Sequence, residues 1–237
     1  MSALGDLENA LWRGEYQRLA DSHFHRAMRE DSQGIIKGRD AILAKWVETA
    51  HLSAIVTADL GDMVAVQSSD KDWQLHRWVW REDGRILREV EITNRNRPVK
   101  AAAIHPPLGE LRAGRGQYAA DAEALLPPGF PDAAVPLANR LHNAWNGRAF
   151  SAETPKDIIN FISDLPDATF FFEHAVAENR VTAILFRLMG HDESGRRIRL
   201  FGSYLGHNDG EMELVLDWPG YAAQKARDII DYGQLDC

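Results

Sequence analysis

The residue with the strongest claim to chemistry is Asp217. It ends the stretch Met212-Glu213-Leu214-Val215-Leu216, lies between Leu216 and Trp218, and is followed by Pro219. A carboxylate held beside a large aromatic loses hydration, which raises its pKa and makes it a proton carrier near neutral pH. The competing assignment is structural: Asp217 caps the helix expected from Tyr221 onward. Arg187 and His191 share a strand side with Val181, Ala183 and Leu185, so on an inner face they would orient a substrate oxygen. Their alternatives are an ion pair of Arg187 with Glu173 or Glu213, and a solvated His191 in the Gly190–Gly195 turn. Tyr204 and Trp218 would line the same pocket or fill its core. A second candidate group precedes these in the chain. Glu91 shares a strand side with Glu89, and His76, Trp78 and Trp80 share one of theirs. Together these make either a second ligand pocket or a polar sheet edge.

The elements that must position these side chains follow from periodicity. Met212, Leu214 and Leu216 alternate with Glu213, Val215 and Asp217, which is the period of a strand. Asp209-Gly210 and Asp83-Gly84 are two-residue hairpin turns, because both central positions of a type I′ turn need positive φ. The first turn predicts a hairpin of Trp73–Trp80 with Ile86–Thr93; the second joins Arg197–Leu205 to Met212–Leu216. Helices are expected over 6–20, after Gly38, from Val135 to Trp145 and from Thr154-Pro155. Strands are expected at His23–Met28, Ile55–Thr57, Met63–Ser68, Ala168–Phe172 and Arg180–Met189.

This order occurs twice. The two Asp-Gly pairs lie 126 positions apart, and an acid follows each Asp by eight positions, Glu91 in the first half and Asp217 in the second. The second copy lacks a counterpart of His23–Met28. Between the copies, six prolines and four glycines in 95–131 mark a connector, with a helix expected from Gln117 to Leu126 and His105 placed where it could fold over a pocket mouth. The expected organisation is 1–97 as a first α+β domain, 98–131 as connector and 132–237 as a second α+β domain.

Composition narrows the partners. A net charge of −8 disfavours nucleic acid or an anionic membrane surface. No apolar run reaches bilayer length, and residues after Met1 carry no leader pattern, so a cytoplasmic protein is expected. The single Cys237 excludes an internal disulfide and a Cys/His zinc cluster.

Helix, helix, then an antiparallel sheet ending in Asp-Gly-x-hydrophobic-x-x-x-x-Asp resembles the nuclear transport factor 2-like superfamily. More narrowly, Pro166-Asp167, the run Val181 to Gly190-x-x with His191, and Asp217-Trp218-Pro219 are similar to segments of the SnoaL-like polyketide cyclases. The resemblance covers about 135–230 by motif and 5–95 by pattern. It implies two tandem cone-shaped domains, each a curved antiparallel sheet packed with helices around an apolar pocket. It implies Asp217 as general acid/base removing a proton alpha to a carbonyl, as in cyclases and isomerases, with no metal or organic cofactor. The implied partner is a small apolar carbonyl compound. Sheet-to-sheet dimerisation, common in the superfamily, would here occur within one chain as a pseudo-dimer, with a further homodimer open. The cyclases place a His six residues before the turn Asp; this sequence has Ser203, which can donate a hydrogen bond but does not titrate near pH 7. The same fold also hosts non-catalytic binding or dimerisation modules.

Overall fold

The computed structural model describes residues 13–31, 34–48, 53–59, 63–69, 73–95, 124, 126–146, 165, 167–178, 180–192, 194–207 and 212–226. The expected helix from Thr154, most of the helix from Gln117, His105 and the Asp209-Gly210 turn lie outside these residues. So does the segment where a counterpart of His23–Met28 was judged missing.

The fold is mixed α+β. Its elements run α1 (Tyr16–Asp21), β1 (His23–Asp31), β2 (Gly34–Lys37), α2 (Arg39–Glu48), β3 (Ser53–Asp59), β4 (Met63–Ser69), β5 (Gln74–Glu82) and β6 (Arg85–Thr93). These are followed by α3 (Val135–Trp145), β7 (Thr169–Glu178), β8 (Val181–His191), β9 (Arg197–His207), β10 (Met212–Leu216) and α4 (Trp218–Ala226). The first six strands form one sheet in the order β2-β1-β6-β5-β4-β3, the last four another in the order β10-β9-β8-β7.

The Asp83-Gly84 hairpin forms as its chemistry requires, with φ of 48° and 74° at the two turn residues. Two features differ from expectation. Strand β2, read as a closing turn, pairs with β1; and β1 runs parallel to β6, bringing the chain's first strand to the hairpin's far side. That pairing places His23 and Arg29 beside β6.

Each sheet has two faces with different fates. One face of the second sheet packs with α3 and α4 around Phe170, Phe186, Trp145, Leu200, Tyr204, Leu216 and Trp218. Asn146 fixes α3 to this sheet, accepting from Phe170 N–H at 2.7 Å and donating to the Phe170 carbonyl at 3.1 Å. Phe130, from the end of the expected connector, packs on the same core, its ring 5.8 Å from that of Phe172. The other face of the second sheet meets the first sheet: Val176, Val181, Ala183, Leu185, Phe201, Leu205 and Val215 share one core cluster with Ala65, Trp78, Val90 and Ile92. A third cluster, Ala27, Ile42, Trp46, Val79 and Ile86, lies under α2 on the far face of the first sheet. The two sheets therefore share an apolar seam, with a helix-covered face on either side of it.

Candidate functional site

The first sheet's helix-covered face is where charge is buried. Strand β6 carries an extra residue, Leu87, because Trp80 pairs with Arg88 while Arg81 pairs with Ile86. Past that bulge Glu89 and Glu91 turn to the α2 side while Val90 and Ile92 turn to the seam. Glu89 is fully buried, with Oε1 2.7 Å from His23 Nε2. The Trp46 indole N–H reaches both Glu89 oxygens at 3.0 Å. Glu91 accepts from Arg29 Nη2 at 2.5 Å and from Arg77 Nη2 at 3.1 Å. Arg29 Nε also donates to Asp31 at 3.2 Å, and the Arg77 guanidinium sits 4.0 Å over the Trp46 ring. Burial alone would raise the Glu89 pKa; the hydrogen bond from His23 and the charges of His23, Arg29 and Arg77 outweigh it and hold Glu89 below the usual carboxylate range.

This arrangement is ordered in depth. His23, Glu89, Arg29 and Arg77 are at most 2 % exposed, whereas Glu91 is 9 % exposed. Arg29 Nη1 is buried without a hydrogen bond, its nearest acid being Glu89 at 3.9 Å. Glu91 is therefore the carboxylate of this network that solvent can reach.

Asp217 lies differently from its sequence assignment. It pairs backbone to backbone with Phe201 and follows Val215, both seam residues, so its side chain leaves the strand on the seam side. Its Oδ1 accepts the Gly220 N–H at 3.0 Å, capping α4, which begins at Trp218 rather than Tyr221. A Cβ on Gly220 would sit 2.1 Å from Asp217 Oδ2, so glycine there makes room for the carboxylate. Burial pushes the Asp217 pKa up to about 7; the Gly220 hydrogen bond opposes this, and the negative charges of Asp31 and Glu91 add to it. The like charges come from the other half of the chain.

The remaining sequence candidates separate. Ser203 is fully buried in the seam and accepts the Trp78 indole N–H at 3.0 Å, so it faces away from the second half's inner core. Arg187 is also on the seam side; it pairs with Glu173, the bulged residue of β7, at 3.0 Å and lies 4.7 Å over the Phe201 ring. His191 is exposed at the end of β8, its Nδ1 2.8 Å from Asp167 and its backbone N–H donating to the same carboxylate at 2.6 Å. Asp217, Arg187, His191 and Ser203 thus do not converge on the second half's interior. Tyr204 and Trp218 are core residues of that interior. His76 and Trp78 lie in the seam, on the opposite side of the sheet from Glu91, so the three form no common pocket. Burial drives the His76 pKa down to about 3 against a weak pull from the Ser203 backbone. The equivalence of Glu91 and Asp217 also fails: the Leu87 bulge shifts one strand by a residue, so equal spacing from the turn lands on opposite faces. Arg29 and Arg77 were missed as site residues. Their signal in the sequence was alternation, since Arg77 and Val79 share a strand side with Leu75.

Comparison with known proteins adds a partial likeness of form. No family model matches the chain. No curated protein matches either. Among solved structures, a candidate polyketide cyclase from Sinorhizobium meliloti is 21% identical over 35% of this chain and 86% of its own, with a TM-score of 0.31. An NTF-2 like protein from Burkholderia xenovorans is 14% identical, spans 36% of this chain and 74% of its own, and gives a TM-score of 0.30. A candidate ketosteroid isomerase from Kribbella flavida is 18% identical over 51% of this chain and 84% of its own, with a TM-score of 0.31. At this depth of similarity, any chemistry has to come from this chain's own side chains. No helix among the described residues is long and apolar enough to cross a membrane.

Proposed function

We propose that the chain is a small-molecule acid/base enzyme of cyclase or isomerase type, built as two tandem domains of the nuclear transport factor 2-like class. Its site is the charged inner face of the first domain, and the second, SnoaL-like domain serves as its packed partner. The tandem boundaries are those expected from the sequence, and the shared seam makes the chain an internal pseudo-dimer.

One observation carries this reading. The first sheet's helix-covered face buries Arg29, Arg77, Glu89 and Glu91 together with His23. Removing such ions from water costs several kcal/mol each, and apolar residues of the same volume would hold a sheet at least as well. A network kept despite that cost fits a site better than a scaffold. Within it, Glu91 is the base: two guanidinium groups hold it ionised and aimed, and solvent reaches it. Glu89, His23 and Trp46 form the buttress that keeps Arg29 in place. The substrate class is a small, mainly apolar carbonyl compound, because the network already balances acids against guanidiniums and leaves an unpaired donor, Arg29 Nη1, for a neutral acceptor.

A second reading is favoured by the second half. Its inner face is filled by stacked rings, Phe170 and Phe186 lying 4.3 Å apart, and Asp217 is tied to a helix N-terminus. That half fits a non-catalytic dimerisation module, and the whole chain could be one. A thermal-shift and mass-spectrometric screen of small carbonyl compounds, run on the native chain and Glu91→Gln, separates the two. Compounds that bind the native chain and lose affinity on Glu91→Gln support the enzyme reading; an absence of hits, or hits indifferent to the substitution, supports the module.

A further inference from the structure

The site proposed above ends at the seam, and what meets it there comes from the other half. Arg29 joins Asp31 to Glu91 on the first half. Facing them across the seam is Asp217, whose charge is felt by both. Asp217 is 6 % exposed. Its Oδ1 is committed to Gly220 N–H, and among the described residues no hydrogen bond reaches Oδ2. Arg29 Nη1, 2 % exposed and without a hydrogen bond, is an independent buried donor in the same cluster.

Resting on the reading of the first inner face as the site, we infer that Asp217 of the second half completes it as the proton donor paired with Glu91 as base. Two carboxylates in one site can divide acid and base work only if their surroundings treat them differently. Here they do. Glu91 has two guanidiniums on its oxygens. Asp217 has a single backbone N–H and otherwise faces the like charges of Asp31 and Glu91, so it keeps its proton to about pH 7. The charged groups around the pair are Arg29 and Asp31 from β1, Arg77 from β5 and Glu89 from β6.

The step balances without an added reagent. Glu91 takes a proton from the carbon alpha to the substrate carbonyl. The C–H electron pair becomes the new C=C bond, and the carbonyl π pair moves to oxygen, which takes the Asp217 proton. The products are the enol, protonated Glu91 and ionised Asp217; reversal with the proton returned to another carbon isomerises the substrate. Each half thus contributes one end of the proton path.

Two measurements test this, the first needing no substrate. The Asp217 carboxyl is followed by carbon NMR titration in the native chain, in Asp31→Asn and in Glu91→Gln. Removal of either facing charge is expected to lower its midpoint by about one pH unit. A midpoint unmoved by both substitutions shows that Asp217 is not part of the cluster and overturns the inference. The second measurement is deuterium exchange into the alpha positions of a panel of small cyclic ketones, read by mass spectrometry. Asp217→Asn, which keeps the helix cap, is expected to slow exchange at least 100-fold with little change in ketone binding. Exchange unchanged by Asp217→Asn overturns the inference while leaving the site reading standing. If the native chain exchanges none of the ketones, the reaction proposed for the site fails, and the inference fails with it even if the titration still places Asp217 in the cluster.

Discussion

The two helix-covered faces of this molecule occupy the same place in their sheets and are built from opposite materials. In the second half, Phe170, Phe172, Phe186, Tyr204 and Trp218 close the space with aromatic area. In the first, Glu89, Glu91, Arg29, Arg77 and His23 take up the corresponding positions, with a small apolar cluster of Ala27, Ile42, Trp46, Val79 and Ile86 beside them. Aromatic packing gains stability from area and needs no partners. A charged interior gains almost nothing over apolar residues and fails if one member is removed. The contrast separates the half that is held together from the half that has something to do.

The largest effects are expected where that contrast is broken directly. Glu89→Leu leaves His23, Arg29 and the Trp46 N–H facing no acceptor and should cost about 3–5 kcal/mol in urea unfolding. Replacing Arg29, Arg77, Glu89 and Glu91 together by apolar residues of similar volume should be far milder than Glu89→Leu alone, because no charge is left stranded. A cost under about 1 kcal/mol for Glu89→Leu would mean the network is not one unit. Phe186→Ala should cost a similar ~3–5 kcal/mol by leaving a cavity among Phe170, Trp145 and Tyr204, while sparing ligand hits.

The seam gives the next effect. His76 is buried and neutral in the fold, with its pKa near 3 against 6.5 when exposed. Its contribution is complete above pH 6.5 and is lost as pH falls from there toward 3, at about 1.4 kcal/mol per pH unit. From pH 6.5 to 4.5 the native chain should therefore lose roughly 2–3 kcal/mol relative to His76→Leu. Asp217 runs the other way: raised from 3.8 to about 7, it withdraws stability as pH rises through that range. The comparison with His76→Leu isolates the first slope from the second. Equal pH dependence in both proteins would place His76 in contact with water.

Smaller effects sharpen the boundary between the layers. A Cβ on Gly202 would lie 2.2 Å from Phe186 Cζ. Gly202→Ala should therefore cost about 1–3 kcal/mol in the second half, leaving the first half's ligand response intact. Ser203→Ala removes the acceptor of the Trp78 N–H across the seam and should cost about 1 kcal/mol, seen as a lowered urea midpoint with an unchanged slope.

Much of the strand framework was legible in the sequence because it rests on local rules. Asp83-Gly84 specified its hairpin through positive φ, and Met212–Leu216 appeared as the alternation foretold. The parallel pairing of β1 with β6 was not legible, since it joins residues more than sixty positions apart and leaves no periodic mark of its own. Site membership was misread for a related reason. Alternation reported that Arg187, Ser203 and Asp217 each face one side of their strands, without saying which side a second sheet would cover.

By itself the sequence determined strand identity, the Asp-Gly turn and the acid that caps α4, because backbone sterics and side-chain period act over a few residues. Tertiary structure alone decided which face became seam and which became interior. A single inserted residue, Leu87, reverses a strand's sides, and burial, which sets the protonation of Asp217, His76 and Glu89, depends on what the rest of the chain places against them.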